Sequence, residues 1–297
     1  MIALESRATP HPAMALLSPV LAVVLTLIAG AGLFAALGLD PLAALQVYVL
    51  SPFGDAYSRS ELIVKAVPLA LIGAGLAVSF RANVWNIGAA GQYTLGAVMA
   101  GGFALALPEA TSKLWLIPFL ALGVLGGMAW AAIPAFLRTR FNTNEILVSL
   151  MLTYVAAHLL EYLVHGPWRD PLGFGFPQTA SFSEGFAMPL LAPPTRLHGG
   201  LFIALLAAGT LAVMMGRTMR GFRIAVVGQA PRAGAFAGFS QGGTTWFVLL
   251  LSGGLAGLAG AIEVSATIGQ LQGDIAAGYG FTAIIVGFLG RLNPAGA

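Results

Sequence analysis

The sequence predicts an all-α, polytopic membrane protein. Of its 297 residues, 58% are hydrophobic and only 8% are charged, whereas a soluble domain carries about 25% charged residues. One globular core cannot bury this much apolar sequence and still present a polar surface to water. Glycine, at 39 residues, is about twice as frequent as in average proteins, as expected where helices pack closely in lipid. These values exclude a soluble enzyme, a disordered regulator and a fibrous protein.

Eight segments are apolar over the roughly 20 residues that a membrane span needs. The first is too long for the core of a signal peptide, so we expect it to remain as a helix. The predicted spans are 14–39, 62–80, 84–107, 114–137, 146–164, 201–216, 244–262 and 275–289. Residues 1–297 are therefore predicted to form a single transmembrane domain with about eight helices.

The distribution of charge predicts the orientation of these spans. With a cytoplasmic N-terminus, the inner segments carry a clear excess of arginine over acidic residues, and the outer segments carry more acids than bases. The positive-inside rule requires this arrangement, and the opposite orientation violates it. Glu263 and Asp274 flank a short outer connection in this scheme, and we expect both to be solvated.

Two polar segments are too long for simple turns and too short for soluble domains. Residues 166–200 form an external loop rich in proline and glycine, and residues 217–241 form a cytoplasmic segment with four arginines. Pro231 can begin a short helix in the cytoplasmic segment. Such a helix could dock in a groove of a cytoplasmic protein or rest on lipid headgroups through its arginines. The residues leave both interpretations open.

Several amide side chains stand at the start of the third span. Asn83, Asn86 and Gln92 are costly in lipid unless they are paired. One interpretation is a helix cap followed by a close packing face around Gly88. The other is a broken or late-starting helix near residues 83–92 that lines a polar route, since non-helical backbone at membrane depth must face protein or water. The pattern alone favours neither.

Asn144 opens the fifth span together with Asn142 and Glu145. An asparagine at the N-cap and an acid in the first turn both stabilise the start of a helix. We therefore favour a capping role for Asn144, while it remains a candidate residue of the polar route.

Two pairs of glycines are spaced four residues apart, at Gly123/Gly127 and Gly253/Gly257. This spacing places both members of a pair on one helix face and predicts close helix packing. It carries no information about a substrate.

The sequence lacks the signatures of several chemistries. It has no cysteine, which excludes thiol catalysis and disulfides. It contains no Gly-x4-Gly-Lys-Ser/Thr loop for nucleotide phosphates and no His-Glu-x-x-His. We therefore expect no catalytic residues, no metal and no cofactor, and an intramembrane enzyme is disfavoured.

A series of motifs occurs in order between residues 80 and 296. The stretch FRANVWNIGAAGQYTLGA at 80–97 and the stretch GYGFTAIIVGFLGRLNPAG at 278–296 are the most specific, and a third stretch, GPWRDPLGFGFPQTASF, occupies residues 166–182. On these residues the chain resembles the permease subunits of bacterial ABC importers for branched-chain amino acids, ribose-type sugars and nucleosides. The third stretch is most similar to the nucleoside branch.

The resemblance implies a bacterial inner-membrane permease that imports nucleosides by ATP-driven alternating access. It implies a separate cytoplasmic ABC ATPase, a second permease subunit, like or unlike this one, and an external substrate-binding lipoprotein. It also implies one or two further helices after the last stretch. The alternatives are a permease for simple sugars or branched-chain amino acids and, from another class, an ATP-independent carrier or channel.

The resemblance also assigns residues. It implies that Asn83, Trp85, Asn86 and Gln92 line the substrate route, where aromatic stacking and amide hydrogen bonds suit a nucleobase and a ribose. It makes the segment 217–241 the coupling segment that seats in the ATPase. The coupling residues are then Gly221, Arg223, Gly228, Pro231, Arg232 and Phe236.

Overall fold

A computed structural model describes the backbone of residues 12–296. These residues form eleven α-helices and no β-strand, which confirms the predicted all-α fold. The helices are α1 (Pro12–Ala36), α2 (Pro41–Gly54), α3 (Ala56–Arg81), α4 (Ala89–Leu105), α5 (Leu116–Phe141), α6 (Glu145–His165), α7 (Gly200–Arg217), α8 (Met219–Gln229), α9 (Pro231–Phe236), α10 (Gln241–Glu263) and α11 (Tyr279–Leu289). One turn of π-helix, Val264–Ile268, extends α10.

Each of the eight predicted spans contains a helix. Among the described residues, five helices are long and apolar enough to cross a membrane by length and composition. They are Ala56–Arg81, Lys113–Phe141, Glu145–His165, Gly200–Arg217 and Gln241–Ile268. The chain is therefore a multi-pass membrane protein.

Several helix boundaries differ from the predicted spans: α3 begins at Ala56 rather than at residue 62, and α4 begins at Ala89 rather than at residue 84. Two further differences follow from the local sequence. Helix α2 was not predicted; it begins because the Asp40 side chain accepts from the main-chain N–H groups of Leu42 and Ala43 and Pro41 occupies the first turn. Helix α11 begins at Tyr279 rather than at residue 275, because the preceding Gly278 has a left-handed backbone with φ of 76°.

The chain divides into two compact units, Met1–Leu62 and Ile63–Ala297, and the division falls inside α3. In the described part of the first unit, α1 and α2 contact each other. The second unit holds all the candidate site residues, and its centre consists of α4, α5 and α10.

The backbones of these three central helices are in direct contact. A Cβ atom on Gly257 would overlap the carbonyl oxygen of Gly123, and one on Gly127 would overlap the carbonyl oxygen of Gly253. Gly96 of α4 meets Gly257 in the same way. The predicted packing role of both glycine pairs is confirmed, since only residues without a side chain allow this approach.

The loop between α6 and α7, which the sequence predicts to be external, is bound to the connection between α10 and α11. The N–H of Thr179 donates to the carbonyl of Leu271 at 3.0 Å, and the N–H of Leu271 donates back to Thr179 Oγ1 at 3.0 Å. The N–H of Phe182 donates to the carbonyl of Gly269 at 2.8 Å. Since these hydrogen bonds satisfy the backbone groups of both segments, the loop is an ordered part of the fold where α10 ends.

We expect Gly257→Ala to lower the free energy of unfolding by about 3 kcal/mol, because the added methyl group must separate helices α5 and α10. The matched control is Gly209→Ala in α7, where an added Cβ has no neighbour within 4 Å. The control should unfold at the wild-type temperature or above it, because alanine favours a helix more than glycine does. Thermal unfolding of both variants in detergent measures the difference, and equal midpoints would contradict this packing.

Candidate functional site

The chain between α3 and α4 is non-helical over the last residues before Ala89. Helix α3 ends because Asn83 adopts a left-handed backbone with φ of 54°. The N–H of Val84 then donates to the carbonyl of Ser79 at 3.1 Å, and Ser79 Oγ donates to the carbonyl of Val84 at 2.8 Å. The predicted late-starting helix near residues 83–92 is confirmed.

Asn86 and Gln92 pair with each other at the start of α4. Asn86 Nδ2 donates to Gln92 Oε1 at 2.8 Å, and Gln92 Nε2 donates to Asn86 Oδ1 at 3.0 Å. Asn86 Nδ2 also donates to Ser252 Oγ of α10 at 2.8 Å, and Asn86 Oδ1 accepts from the N–H of Gly88 at 3.1 Å. Asn86 is fully buried. The two amides thus fasten the start of α4 to α10 and satisfy each other.

Asn83 and Trp85 lie on a more accessible surface. Trp85 Nε1 donates to Asn83 Oδ1 at 3.2 Å, and Asn83 is exposed. The Trp85 ring centroid lies 5.0 Å from that of Phe80 and 6.0 Å from that of Phe288 in α11. Because Trp85 and Phe288 are partly exposed, this aromatic surface, Phe80–Trp85–Phe288, can stack against a flat ring.

Glu145 supports Trp85 from the start of α6. Its carboxylate accepts from the main-chain N–H of Trp85 at 3.2 Å and forms an ion pair with Arg138 of α5. Sequence reasoning assigned Glu145 only to the helix dipole, since nothing in the pattern indicated that the carboxylate is buried. Asn144 caps α6 by accepting from the N–H of Ile146 at 2.9 Å, and its side chain is exposed.

The predicted coupling segment, residues 217–241, contains α8 and α9, and its glycines contact the rest of the second unit. A Cβ on Gly228 would overlap the carbonyl oxygen of Arg81, where α3 ends. A Cβ on Gly221 would overlap the end of α7 at Met214. Helix α8 therefore rests directly on the turn that leads to Asn83 and Trp85.

The arginines and phenylalanines of the coupling segment differ in exposure. The Arg223 guanidinium lies 5.4 Å from the ring centroid of Phe239, beside a cavity of about 490 Å³. Pro231 begins α9, and Arg232 beside it is exposed. Phe236 is 95% exposed. A ring this exposed is free to contact either a partner protein or lipid.

The expectation for Glu263 is wrong, whereas Asp274 is exposed as expected. Glu263 is buried in the last turn of α10, with Lys65 Nζ 4.0 Å from Glu263 Oε1. The sequence predicted that Glu263 lies in a solvated connection, but the π-helical turn continues the helix past Glu263.

The site residues offer contacts for a solute and not a reaction centre. Among residues 12–296, no three His, Asp or Glu side chains come together as a metal site requires. The exposed Asn83 amide can form hydrogen bonds, and the aromatic surface can stack on a flat ring.

Comparison with known proteins places these features in a family. A profile described as branched-chain amino acid transport system / permease component matches residues 58–297. The glucose ABC transporter permease protein TsgB13 of Haloferax volcanii is 37% identical over 97% of this chain and 78% of its own length. The guanosine ABC transporter permease protein NupP of Bacillus subtilis is 31% identical, with 95% and 81% covered. The nucleoside ABC transporter permease protein NupB of Lactococcus lactis is 28% identical, with 94% and 79% covered. No solved structure gives a significant match.

We expect Asn86→Leu to lower the free energy of unfolding by about 3 kcal/mol, because it leaves the buried Gln92 amide and Ser252 hydroxyl without this partner. The control is Gln241→Leu, which removes an exposed amide at the start of α10 and should leave the unfolding temperature unchanged. Thermal unfolding in detergent distinguishes the two variants. An Asn86→Leu protein as stable as the control would show that the amide pair does not fasten α4.

Proposed function

The chain belongs to the family of branched-chain amino acid transport system permease components and is a permease subunit of an ABC importer, and we propose that it moves nucleosides inward by ATP-driven alternating access. The observation that carries the proposal is the aromatic surface Phe80–Trp85–Phe288 beside the non-helical segment. A partly exposed tryptophan and phenylalanine suit the flat face of a nucleobase. The guanosine and nucleoside permeases among the relatives support it.

The proposed route runs along the start of α4. Trp85 stacks on the base, and the exposed Asn83 amide supplies hydrogen bonds to its edge. Asn86 and Gln92 form the wall behind them, since both are buried and paired. Asn144 begins the helix that carries Glu145, whose carboxylate holds the Trp85 backbone.

The proposed coupling begins at α8 and α9. ABC permeases work with an ATPase and a solute-binding protein. We assign the ATPase contact to the exposed residues Pro231, Arg232 and Phe236. Gly221 and Gly228 hold α8 against the ends of α7 and α3, while Arg223 packs over Phe239. Movement of α8 then shifts the turn before Asn83, because α8 and that turn share backbone contact.

The proposed assembly is a pair of permeases, like or unlike, in a bacterial plasma membrane, with a cytoplasmic N-terminus. A cytoplasmic ABC ATPase and an external substrate-binding lipoprotein complete it. The excess of arginine in the inner segments supports the orientation.

A simple sugar is the second candidate solute. The glucose permease among the relatives favours it, with 37% identity over most of both chains. Aromatic side chains also stack on the apolar face of a sugar ring, so the aromatic surface is compatible with both solutes.

The test is uptake of radiolabelled guanosine, uridine, ribose, glucose and leucine by cells that express the complete transporter, with and without this subunit. We expect nucleoside uptake that needs the subunit and stops when ATP is depleted. Subunit-dependent uptake of ribose or glucose alone would replace the nucleoside by a sugar. Uptake that survives ATP depletion would contradict the ATP-driven mechanism.

We expect Phe236→Ala to reduce co-purification of the ATPase at least tenfold without a change in thermal stability, because the ring is exposed and contributes only to a partner contact. The matched control is Phe202→Ala in α7, where the ring is 62% exposed within a predicted span. Quantitative pull-down through an affinity tag on this subunit gives the ratio. Equal recovery with both variants would remove Phe236 from the ATPase contact.

We expect Gly228→Ala to lower solute uptake at least tenfold, because the methyl group would push α8 away from the Arg81 carbonyl. Gly234→Ala in α9 is the control, since its added methyl group would make only ordinary contacts of 3.4 Å or more. Uptake normalised to the amount of assembled complex separates coupling from expression. Equal uptake by the two variants would contradict transmission through this contact.

A further inference from the structure

A second polar cluster lies in the second unit, away from the aromatic surface. Lys65 of α3 donates from Nζ to the Tyr279 hydroxyl of α11 at 2.9 Å. The same Nζ lies 4.0 Å from Glu263 Oε1 of α10 and 5.5 Å from the centroid of the Tyr279 ring. The Tyr93 ring of α4 packs 5.9 Å from the Tyr279 ring. These four residues, Lys65, Tyr93, Glu263 and Tyr279, lie on four different helices. We call them the hydroxyl site.

The hydroxyl site lies at the opposite end of the helices from the coupling segment. Lys65 precedes Arg81 by about 24 Å of helix, and Glu263 follows Gln241 by about 33 Å. In the proposed orientation this is the external half of the membrane. Ionisable residues in spans are costly and are usually kept where they face a partner or a water-filled route. A π-helical turn follows Glu263 directly, and such turns are frequent at functional sites.

Two observations distinguish this cluster from a purely structural clamp. The side chain of Lys65 is 53% exposed, so its ammonium can reach a further acceptor. The Tyr93 hydroxyl is buried and has no hydrogen-bond partner among the described residues, although it interacts electrostatically with Glu263 and Tyr279. A buried hydroxyl without a partner is unfavourable, so a solute hydroxyl that reaches Tyr93 would supply the hydrogen bond that it lacks among the described residues.

We propose that Lys65, Tyr93, Glu263 and Tyr279 form a contact site for the vicinal hydroxyl groups of the solute's sugar ring. A carboxylate can accept from two neighbouring hydroxyls, an ammonium donates to their lone pairs, and tyrosine rings pack on the apolar face of the ring. This inference rests on the proposed function, and it names the part of the solute that nucleosides and simple sugars share.

The two sites lie on one helix. Tyr279 and Phe288 are separated by about 13.5 Å along α11, so α11 connects the hydroxyl site to the aromatic surface. An incoming nucleoside would meet the hydroxyl site through its ribose first and the aromatic surface through its base afterwards. Arg196 of the external loop adds positive charge near Lys65 and Tyr279.

The test uses the complete transporter in proteoliposomes with its ATPase and binding protein. ATP-dependent uptake of guanosine and of 2′,3′-dideoxyguanosine gives kcat/KM for each solute. Their ratio is compared among wild type, Tyr93→Phe and Glu263→Gln. The binding protein is the same in every sample, so its own preference cancels between samples. We expect the guanosine preference to fall at least tenfold in both variants.

Controls and stability separate contact from folding. Tyr162→Phe and Glu161→Gln alter exposed residues of α6 and should keep the wild-type ratio. Tyr93→Phe removes a hydroxyl with no partner among the described residues, so its thermal midpoint should equal or exceed that of wild type. Tyr93→Phe therefore decides the question even if Glu263→Gln does not assemble. An unchanged ratio, or equal slowing of both solutes, overturns the hydroxyl site.

Failure of the inference differs from failure of the proposed function. A wild-type transporter that moves guanosine, with the same ratio in all variants, retains the proposed function and overturns the hydroxyl site. A wild-type transporter that moves glucose and not guanosine overturns the nucleoside proposal. Uptake of glucose and of 2-deoxyglucose is then compared among the same variants. A wild-type transporter that moves only leucine, which has no sugar hydroxyl groups, overturns both the proposed function and the hydroxyl site. A transporter that moves none of these solutes overturns both as well.

Discussion

The structure depends on how the chain satisfies its backbone where helix α4 begins late. Lipid offers no hydrogen bonds, so each polar group that leaves a helix needs a partner within the protein. Ser79 and Asn83, which has a left-handed backbone, terminate α3. The Asn86 side chain accepts a hydrogen bond from the N–H of Gly88. The Asn86–Gln92 pair is itself satisfied by a third helix through Ser252. This hydrogen-bond network stabilises a non-helical segment within an apolar protein.

The glycine contacts of α4, α5 and α10 serve the same arrangement. The Asn86–Ser252 bond requires α4 to lie close to α10, and the contact between Gly96 and Gly257 permits that distance. Hydrophobic attraction does not drive helices together in lipid, so close packing of small residues has a larger part in their association. The polar network and the glycine contacts therefore depend on each other.

The second unit contains the three features for which we propose functions. The coupling segment touches the turn at Arg81, the aromatic surface lies beside that turn, and the hydroxyl site lies toward the other end of α3 and α10. A transporter needs weak contacts that change with conformation and not a rigid reaction centre. The half-exposed Lys65 and Trp85 are consistent with contacts of this kind.

The sequence by itself determined the fold class and the eight apolar segments, and it offered the late start of α4 as one of two interpretations. Composition and hydropathy are local properties, and amides at the start of a span are visible in the chain. It could also name Asn83, Asn86 and Gln92 as a group, to which the family resemblance added Trp85, although their membership of a substrate route remains a proposal.

Only the tertiary structure decided which of these groups face each other. Asn86 donates to Ser252, and Lys65 donates to Tyr279, in each case on a helix far along the sequence. The sequence assigned Glu263 to solvent because it ends an apolar run, yet packing buries it beside Lys65. Pairing between distant helices is set by packing geometry, which periodicity and spacing within one segment do not contain.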